Sequence, residues 1–390
     1  MSRPQSLCIL LILFQATAIF SQIPDDEQPA MILAHGISRI GADIWATGGA
    51  ALASSDMNSA VVNCPAFMRS SGWHGYAECG QWSKGEWLSE VKRNRQRLLP
   101  SLTYIGKNLK FANIAIGYAN LYDMNWDYGV VERTTIEEPY GTGETFQMTS
   151  RLRTESYFLA ARFQPHRLLS IGVNAGLAHI KQSDKIYQTR LTGDGFGFAT
   201  TISAGLQVLD NLALACNYRF ITTIKYDAHF EPELEIINPL DIDPSFGEND
   251  LLVSTDVVRS IGYIAAFPRI FETGGSWDIN GWLSLHGALD FQNWRVVNDE
   301  YNDVINVHIG SNFRISNVQL SIGYFSQQEP VGSSFRLVLD QHFVSAGINV
   351  RVIKSLAISC AVMDSHLIKS KGAEDKYMLT YGSAGVGISF

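Results

Sequence analysis

Apolar and polar residues alternate along most of the chain from about residue 97 onward. The segment VINVHIGSNFRI (304–315) shows the pattern over its whole length, and the segments 282–294 and 340–352 repeat it. In 304–315 the apolar parity holds Ile305, Val307, Ile309, Phe313 and Ile315, and the other parity holds Asn306, His308, Gly310, Asn312 and Arg314. This period of two predicts β-strands with one apolar and one polar face.

The length of these alternating segments separates two classes of β-protein. Strands in globular proteins have about five or six residues, whereas a tilted strand that crosses a membrane needs about 9–11. The alternating segments run to about a dozen residues and more, so the pattern favours strands that span a membrane.

The connectors between the segments alternate between short and long. This alternation is typical of outer-membrane barrels, which have short periplasmic turns and long extracellular loops. The short connectors are 106–110, 165–167, 210–211, 280–281, 316–317 and 353–355. The longer polar ones are 122–149, 182–192, 228–257, 296–303, 329–339 and 371–376.

Counting the segments predicts fourteen strands, an even number, as bacterial barrels require. The expected strands are 72–82, 97–106, 110–121, 150–164, 167–181, 193–209, 211–227, 258–279, 281–295, 304–315, 317–328, 340–352, 355–369 and 377–390. Pro268 interrupts the eighth strand, where we expect a bulge or an edge-like position. The predicted fold is all-β: a fourteen-stranded antiparallel transmembrane β-barrel. Aromatic residues at strand ends (Trp126, Trp277, Trp282, Trp294, Tyr324 and Tyr377) are expected to form its girdles.

Both ends of the chain carry export signals. Residues 1–21 combine Arg3, an unbroken apolar run and small residues, which predicts a secretory signal peptide cut after Ala18 or Ser21. The alternating last strand ends in Phe390 and resembles the signal read by the barrel-assembly machinery, which we therefore expect as a partner during biogenesis. The predicted location is the bacterial outer membrane.

Charge and cysteine content narrow the functional classes further. The formal net charge of −8 argues against nucleic-acid binding, which needs a basic surface. The chain has no CxxC pair or His/Cys cluster, so no metal site is expected. Cys64 and Cys79 are close in sequence, and their spacing leaves a disulfide between them open.

The segment GGAALASSDMNSAVVNCPAFM (48–68) precedes the first strand and is rich in small residues. A fourteen-stranded barrel is too wide for wall side chains to fill, so its lumen holds a pore, a plug or both. Small side chains let a plug pack closely on the wall, and Asp56, Asn58, Ser59 and Asn63 can pair with backbone and wall groups. We therefore expect an N-terminal plug over residues 22–71, here called the hatch, inside a barrel formed by residues 72–390.

The run Asp56-Met57-Asn58-Ser59-Ala60-Val61-Val62-Asn63-Cys64-Pro65-Ala66 resembles the hatch signature of the FadL/TodX family of outer-membrane long-chain fatty acid and hydrocarbon transporters. Members carry a Gly/Ala-rich segment, an acidic residue, a Ser-Ala-Val-like run and then Asn-Pro-Ala. Here either Cys64 stands in the Asn position or Asn63 serves, with Cys64 inserted. The segments PSLTYIGKNLKFANIAIGY, LSIGVNAGLAHI, GALDFQNW and IGYFSQQEPVGSSF also resemble the family, so that the resemblance covers nearly the whole mature chain.

The resemblance implies passive uptake of hydrophobic small molecules, either long-chain fatty acids or aromatic hydrocarbons, through a monomeric barrel that a hatch gates. It implies no enzymatic activity, catalytic residue or cofactor. The partners expected are the hydrophobic ligand and outer-membrane lipid. The hatch and ligand residues expected are Asp56, Ser59, Asn63, Cys64, Pro65, Ala66 and Phe67.

Two other functions stay open at this point: a non-transporting barrel component of a surface-secretion apparatus, which binds partner proteins, and a general diffusion porin. Other motifs favour ordinary interpretations. His286 and His308 are expected to line the lumen, since no nucleophile motif accompanies them. The acidic stretch 241–250 lacks EF-hand spacing and fits a solvated loop better than a calcium site. The Gly-rich run 193–198 lacks the context of a phosphate loop. The basic run 92–97 fits a solvated loop as well as an anion contact.

Overall fold

The computed structural model describes residues 28–29, 39–68, 72–87, 91–95, 100–109, 111–132, 145–186, 189–237, 255–328, 330, 340–368 and 378–389. The predicted signal peptide, the acidic stretch 241–250 and Phe390 lie outside these residues. The predictions made for them are therefore not addressed by the fold.

The described residues form fourteen barrel strands, as the alternation predicts. They are β1 Trp73–Trp87, β2 in two segments Val91–Arg95 and Pro100–Asn108, β3 Ala112–Glu132, β4 Thr145–His166, β5 Leu169–Ile186, β6 Thr189–Leu209, β7 in two segments Leu212–Ile221 and Ile224–Ile237, β8 in two segments Thr255–Ala265 and Arg269–Asp278, β9 Leu283–Asn293, β10 Val304–Ile315, β11 Val318–Gln327, β12 Gln341–Ile353, β13 Leu356–Asp364 and β14 Met378–Ser389.

Antiparallel pairing closes these strands into a barrel. Each strand pairs with the next one along the chain. The last strand then returns to the first, with Ile388 of β14 opposite Gly75 of β1. The sheet has no free edge at this seam, which removes the exposed hydrogen-bonding groups of an open sheet. The predicted fold class, an all-β fourteen-stranded antiparallel barrel, is confirmed.

The break in β8 falls where Pro268 predicts it. The strand is interrupted between Ala265 and Arg269, because proline has no N–H for the ladder. The chain turns Phe267 into the barrel, where its ring lies 5.5 Å from that of Tyr122. A two-residue strand, Gln28–Pro29, runs parallel to the first segment of β8.

The outer face of the barrel is apolar and the inner face is polar, the reverse of a soluble protein. On β10 the side chains of Ile305 and Ile309 are 53% and 58% exposed, while His308 between them is 5% exposed. The same parity holds on β9, where Leu285 and Leu289 face outward. Such a continuous apolar exterior is the surface of a membrane-spanning barrel.

Exposed aromatic side chains ring the short-turn end of the barrel. They are Trp73, Phe111, Phe163, Trp277 and Trp282. Trp294, which the sequence also places in a girdle, is 1% exposed, so that expectation is wrong. Its side chain folds over the end of β9 into the lumen, where Nε1 donates to Oε1 of Gln292 at 2.9 Å.

The helices are short and precede the barrel. They are α1 Ala42–Ala46, α2 Ala60–Asn63 and a 3₁₀ turn, Pro65–Phe67. In the part of the chain that the structure describes, no helix has both the length and the apolar character needed to cross a membrane.

Candidate functional site

Residues 39–68, the described part of the hatch, lie in the lumen. Every one of them is buried except Ser55 and Asp56. Their hydrogen bonds reach wall strands all round the barrel. Hatch atoms bond to Glu78 on β1, Arg162 on β4, Asn174 on β5, Ser203 on β6, Asn217 on β7, Glu272 on β8, His308 on β10 and Ser345 on β12.

Glycines in the wall make room for the hatch backbone. A Cβ added to Gly323 on β11 would lie 2.1 Å from the carbonyl carbon of Thr47, and one added to Gly310 on β10 would lie 2.4 Å from the Thr47 oxygen. A Cβ on Gly172 of β5 would meet the Ala66 nitrogen at 2.2 Å. Real Cβ atoms do not approach other heavy atoms this closely, so the hatch fits only against these bare backbone surfaces.

A tight turn follows α1 and faces the wall. Gly48 and Gly49 have φ values of 63° and 82°, a region that favours glycine. The turn presents the carbonyl oxygen of Gly48 to Nδ1 of His308, 2.7 Å away. Nε2 of the same imidazole lies 2.8 Å from Oδ2 of Asp290 on β9, so His308 links the hatch to the wall.

Asn63 carries the hydrogen bonds that join the two arms of the hatch, the segment at Ile40 that precedes α1 and the segment of α2 that begins after Ser59. Its Oδ1 accepts from the Ile40 nitrogen at 3.0 Å, and its Nδ2 donates to the Ile40 oxygen at 2.6 Å and to the Ser59 oxygen at 3.0 Å. Of the two residues that the sequence leaves open for the Asn position, Asn63 is thus the one with an amide's bonding pattern.

Cys64 is a buried free thiol. The disulfide to Cys79 that the spacing left open is therefore not formed. Burial, and secondarily the negative charge of Glu272, raises the pKa of Cys64 to about 12. The thiol is thus a small apolar group in the hatch core rather than a nucleophile.

The other predicted hatch residues divide between the hatch interior and its two faces. The Ala66 nitrogen donates to Oγ of Ser203 at 2.8 Å, next to Pro65, and the Phe67 ring packs over Gly205. Ser59 is fully buried, and its nitrogen donates to Oδ2 of Asp43 at 3.1 Å. Asp56 lies at the short-turn face, where it pairs with Nη2 of Arg314 at 2.8 Å.

Two buried carboxylates anchor the first turn of the hatch, and the sequence analysis missed both. Oε2 of Glu78 accepts from the Ala42 nitrogen at 2.7 Å, and its Oε1 accepts from Oγ of Ser383 at 2.6 Å. Oε1 of Glu272 pairs with Nε of Arg39 at 3.0 Å, and its Oε2 pairs with Nη2 of Arg219 at 3.0 Å. The signal for them was present, since each acidic residue stands on the polar parity of its strand.

A cluster of apolar side chains, here the upper cluster, fills the lumen toward the long-connector end. Its buried members are Ala178, Ile180, Leu191, Ala199, Ile224, Tyr226, Ala228, Phe230, Tyr263, Ala265, Phe267, Trp294 and Val304. Leu121 packs against both this cluster and the apolar hatch residues Ile40, Val61 and Val62. Leu152 likewise connects it to the cluster around Ile44 and Trp45. Apolar contacts are therefore continuous from the upper cluster to the hatch.

A narrow cleft of about 20 Å³, with room for about one water molecule, lies where the hatch meets β9, β10 and β11. Its polar lining includes Arg39, Asp290 and His308, and its apolar lining is Trp45, Phe325 and Met363. The Phe325 ring stacks on that of Phe343 with centroids 4.6 Å apart, which fixes this wall of the cleft.

The buried imidazole of His286 bonds to side chains of the neighbouring strands. Nδ1 of His286 lies 2.8 Å from Oγ of Ser276, and its Nε2 lies 2.9 Å from Nδ2 of Asn312. His286 and His308 line the lumen as expected. Within the described ranges, no three His, Cys, Asp or Glu side chains are grouped so that they could hold a metal ion.

Comparison with known proteins identifies the fold. No protein-family model and no curated protein sequence matches the chain. Solved structures do match over nearly its whole length. The Pseudomonas putida toluene transporter TodX is 13% identical, with a TM-score of 0.67, and the match covers 92% of this chain and 99% of TodX.

Two further structures give the same result. The Ralstonia pickettii toluene transporter TbuX is 12% identical with a TM-score of 0.67, covering 90% of this chain and 99% of its own. A Pseudomonas aeruginosa FadL homologue is 12% identical with a TM-score of 0.62, covering 91% and 99%. The chain therefore has the fold of these three proteins, the fold that the resemblance of its hatch segment implied.

Proposed function

We propose that this protein is a member of the FadL/TodX family and acts as an outer-membrane channel for the passive uptake of hydrophobic small molecules. Its substrates are long-chain fatty acids or aromatic hydrocarbons. The hatch is the gate, and no cofactor or energy source takes part. The observation that carries the proposal is the continuous series of apolar contacts from the upper cluster to the hatch.

The apolar side chains of the upper cluster suit an apolar solute for a simple physical reason. Each buried CH₂ group of an acyl chain contributes about 0.8 kcal/mol when it leaves water. Rings such as Phe267 and Tyr122 supply that environment inside the barrel. A porin lumen is water-filled and polar, and would oppose the same solute.

The hatch argues against free diffusion of polar solutes. Its backbone lies against Gly310, Gly323 and Gly172, with no space for a side chain between. A gate must also be able to move. The hatch is bound to the wall by individual side chains, and Glu78, Arg162, Glu272, His308 and Arg314 are charged or titratable ones among them.

The named functions of the structural neighbours support the same proposal. TodX and TbuX are toluene transporters, and a third neighbour is a FadL homologue. Their shared fold makes uptake of a hydrophobic molecule a better supported role here than enzymatic activity, because these neighbours are channels.

Uptake assays test the proposal. Cells that express the protein in a host without its own fatty-acid channel should accumulate radiolabelled oleate or toluene several times faster than cells with an empty vector. Accumulation of both compounds at the rate of the empty-vector cells would contradict the proposal. Steady ion conductance of the wild type in planar bilayers would instead indicate a diffusion porin. A sealed barrel that captures stable protein partners would indicate the secretion-component alternative.

A further inference from the structure

Two cavities open below the hatch at the short-turn end of the barrel, which is the periplasmic end in outer-membrane barrels. They measure about 330 Å³ and about 650 Å³, and Ser55 and Asp56, the two exposed residues of the segment 39–68, line both. Arg314 of β10 also lines both. The larger one, here the mouth cavity, extends along the ends of β11 to β14. Its volume lies within the range of about 300–1,000 Å³ that is typical of ligand pockets.

The mouth cavity has an excess of positive charge. Arg314, Arg351 and Lys354 line it, and Asp56 is the one acid among its described lining residues. Asp56 is already paired with Arg314 at 2.8 Å, and neither Arg351 nor Lys354 forms an ion pair with a described residue. In a chain of net charge −8, such a cavity favours an anionic partner. The smaller cavity is balanced, because its charged lining consists of three arginines and three aspartates: Arg162, Arg167, Arg314, Asp56, Asp210 and Asp278.

The cations of the mouth cavity face the lumen rather than the lipid. Arg314 stands on the inward parity of β10, the parity of His308, and Arg351 stands on the inward parity of β12, the parity of Ser345. Lys354 lies in the short turn between β12 and β13. The exposed aromatic side chains at this end lie on the outer wall. A phospholipid head group beside them is therefore separated from the two arginines by the barrel wall.

The uncharged lining of the mouth cavity favours a peptide over a small anion. Gln319 of β11 and Asn349 of β12 stand directly opposite each other on the cavity wall. Their side-chain amides offer both donors and acceptors, which match the N–H and C=O groups of a peptide backbone. The three cations are spread over β10, β12 and the turn after β12. An occupant that meets all three must be longer than a single anionic group.

We propose that the mouth cavity is a docking site for an extended acidic segment of a periplasmic protein, whose carboxylates pair with Arg314, Arg351 and Lys354. A guanidinium can bind a carboxylate through two parallel hydrogen bonds. In the free protein Asp56 takes the place of one such carboxylate, and its side chain is 53% exposed. An exposed ion pair of this kind is weak, so the partner can displace Asp56 from Arg314. This docking role goes beyond the proposed function, because it concerns what binds below the hatch rather than what crosses the barrel.

Peptide binding to the purified full-length protein in a neutral detergent tests the docking site. The probes are two fluorescent peptides of equal length, one that alternates Glu with Gly and one that alternates Lys with Gly. The acidic peptide should bind at least about tenfold more tightly than the basic one. Added salt should weaken its binding, because the ion pairs are exposed to solvent.

Variants locate the binding site and give opposite signs. Arg314→Gln and Arg351→Gln should each weaken binding of the acidic peptide by about three- to tenfold, whereas Asp56→Asn should tighten it by about threefold, since it removes the competing carboxylate. Arg351→Lys keeps the charge and should lose less than Arg351→Gln. The matched control is Lys107→Gln, because Lys107 lies at the same end but on the outer wall, with Nζ 4.6 Å from the ring centroid of Trp73. Its binding should equal that of the wild type.

Several results would overturn the docking site. They are a wild type that does not distinguish the two peptides, a loss in Lys107→Gln as large as in Arg351→Gln, and weaker or unchanged binding in Asp56→Asn. Competition separates the other occupants. Displacement of the peptide by glutarate at an equal concentration of carboxylate would indicate a small-anion site instead, and displacement by phosphatidylglycerol added to the micelles would indicate a lipid site. None of these results changes the uptake of oleate or toluene, so the proposed function is tested separately.

Discussion

Gly323 of the wall and Thr47 of the hatch are in direct backbone contact. A Cβ at Gly323 would lie 2.1 Å from the carbonyl carbon of Thr47 and 2.2 Å from the nitrogen of Gly48. The hatch backbone can therefore lie directly against the wall because Gly323 has no side chain. Any residue larger than glycine at this position must push the hatch from its seat.

Gly323→Val should unseat the hatch and open a water path. The expected result is a steady increase in single-channel conductance in planar bilayers over the wild type. The matched control is Gly287→Ala on β9, where the nearest atom to the added Cβ is 4.0 Å away. Conductance that stays at the wild-type level in Gly323→Val, or rises equally in both variants, would contradict this account of the seat.

Glu272→Gln should loosen the hatch without unfolding the barrel. The change removes the buried carboxylate that pairs with the guanidinium groups of Arg39 and Arg219. Breaking a buried ion pair costs about 3 kcal/mol or more, so amide hydrogen exchange in residues 39–68 should speed up about a hundredfold. Asp56→Asn breaks an exposed pair with Arg314 and should change exchange by less than about tenfold. Equal effects of the two variants on hydrogen exchange would contradict the role of Glu272 in holding the hatch in place.

Asn63→Ala should weaken the link between the two arms of the hatch. It removes the partners of the Ile40 nitrogen and oxygen, which are buried, at a cost of about 2 kcal/mol. Asn58→Ala removes a side chain of the same size whose Nδ2 has no partner among the described residues, and should cost less than half as much. Hydrogen exchange of the hatch amides measures both variants, and the reverse order of effects would contradict the role given to Asn63.

Cys64 should resist alkylation while the hatch is seated. Its pKa of about 12, against an ordinary value of 9.0, lowers the thiolate fraction at pH 8 about a thousandfold. With Cys79, Cys216 and Cys360 changed to serine, maleimide labelling at pH 8 should be slower by at least that factor than in urea. Adding Gly323→Val should restore much of the rate. If the labelling rates of the folded and the urea-unfolded protein differ by less than tenfold, Cys64 is not buried.

Local alternation predicted the barrel because the side-chain period of a strand is fixed at two. The outward Ile309 and the inward His308 follow from their positions alone. Pro268 likewise predicted the break in β8 through the chemistry of a single residue. Trp294 shows the limit of this reasoning. It stands just past a strand end, where no periodicity fixes its direction, and it turns inward to bond Gln292.

The candidate site was only partly predictable. The segment from Asp56 to Phe67 carried its own signal in small residues and the altered Asn-Pro-Ala run. Arg39 lies outside that segment and meets Glu272 across 233 positions of sequence, a pairing that only the closed barrel creates. The wall glycines that contact the hatch backbone could not be identified from the sequence either, since a glycine on a strand does not reveal which backbone approaches it.

A reversible tether between hatch and wall tests the central claim most directly. A Cβ added at Gly387 lies 3.5 Å from Cγ of Asn58, so the hatch and the wall are in contact here. A disulfide between Asn58→Cys and Gly387→Cys, in a background without the native cysteines, would join them. The measurement is the initial rate of oleate uptake by cells that express this double variant, with each single variant as control. We predict uptake above the empty vector in the reduced form, loss of that uptake on oxidation, and its return with a reductant. Uptake that is as fast in the oxidised form as in the reduced form, or no faster than the empty vector in either, would contradict a hatch-gated channel for hydrophobic molecules.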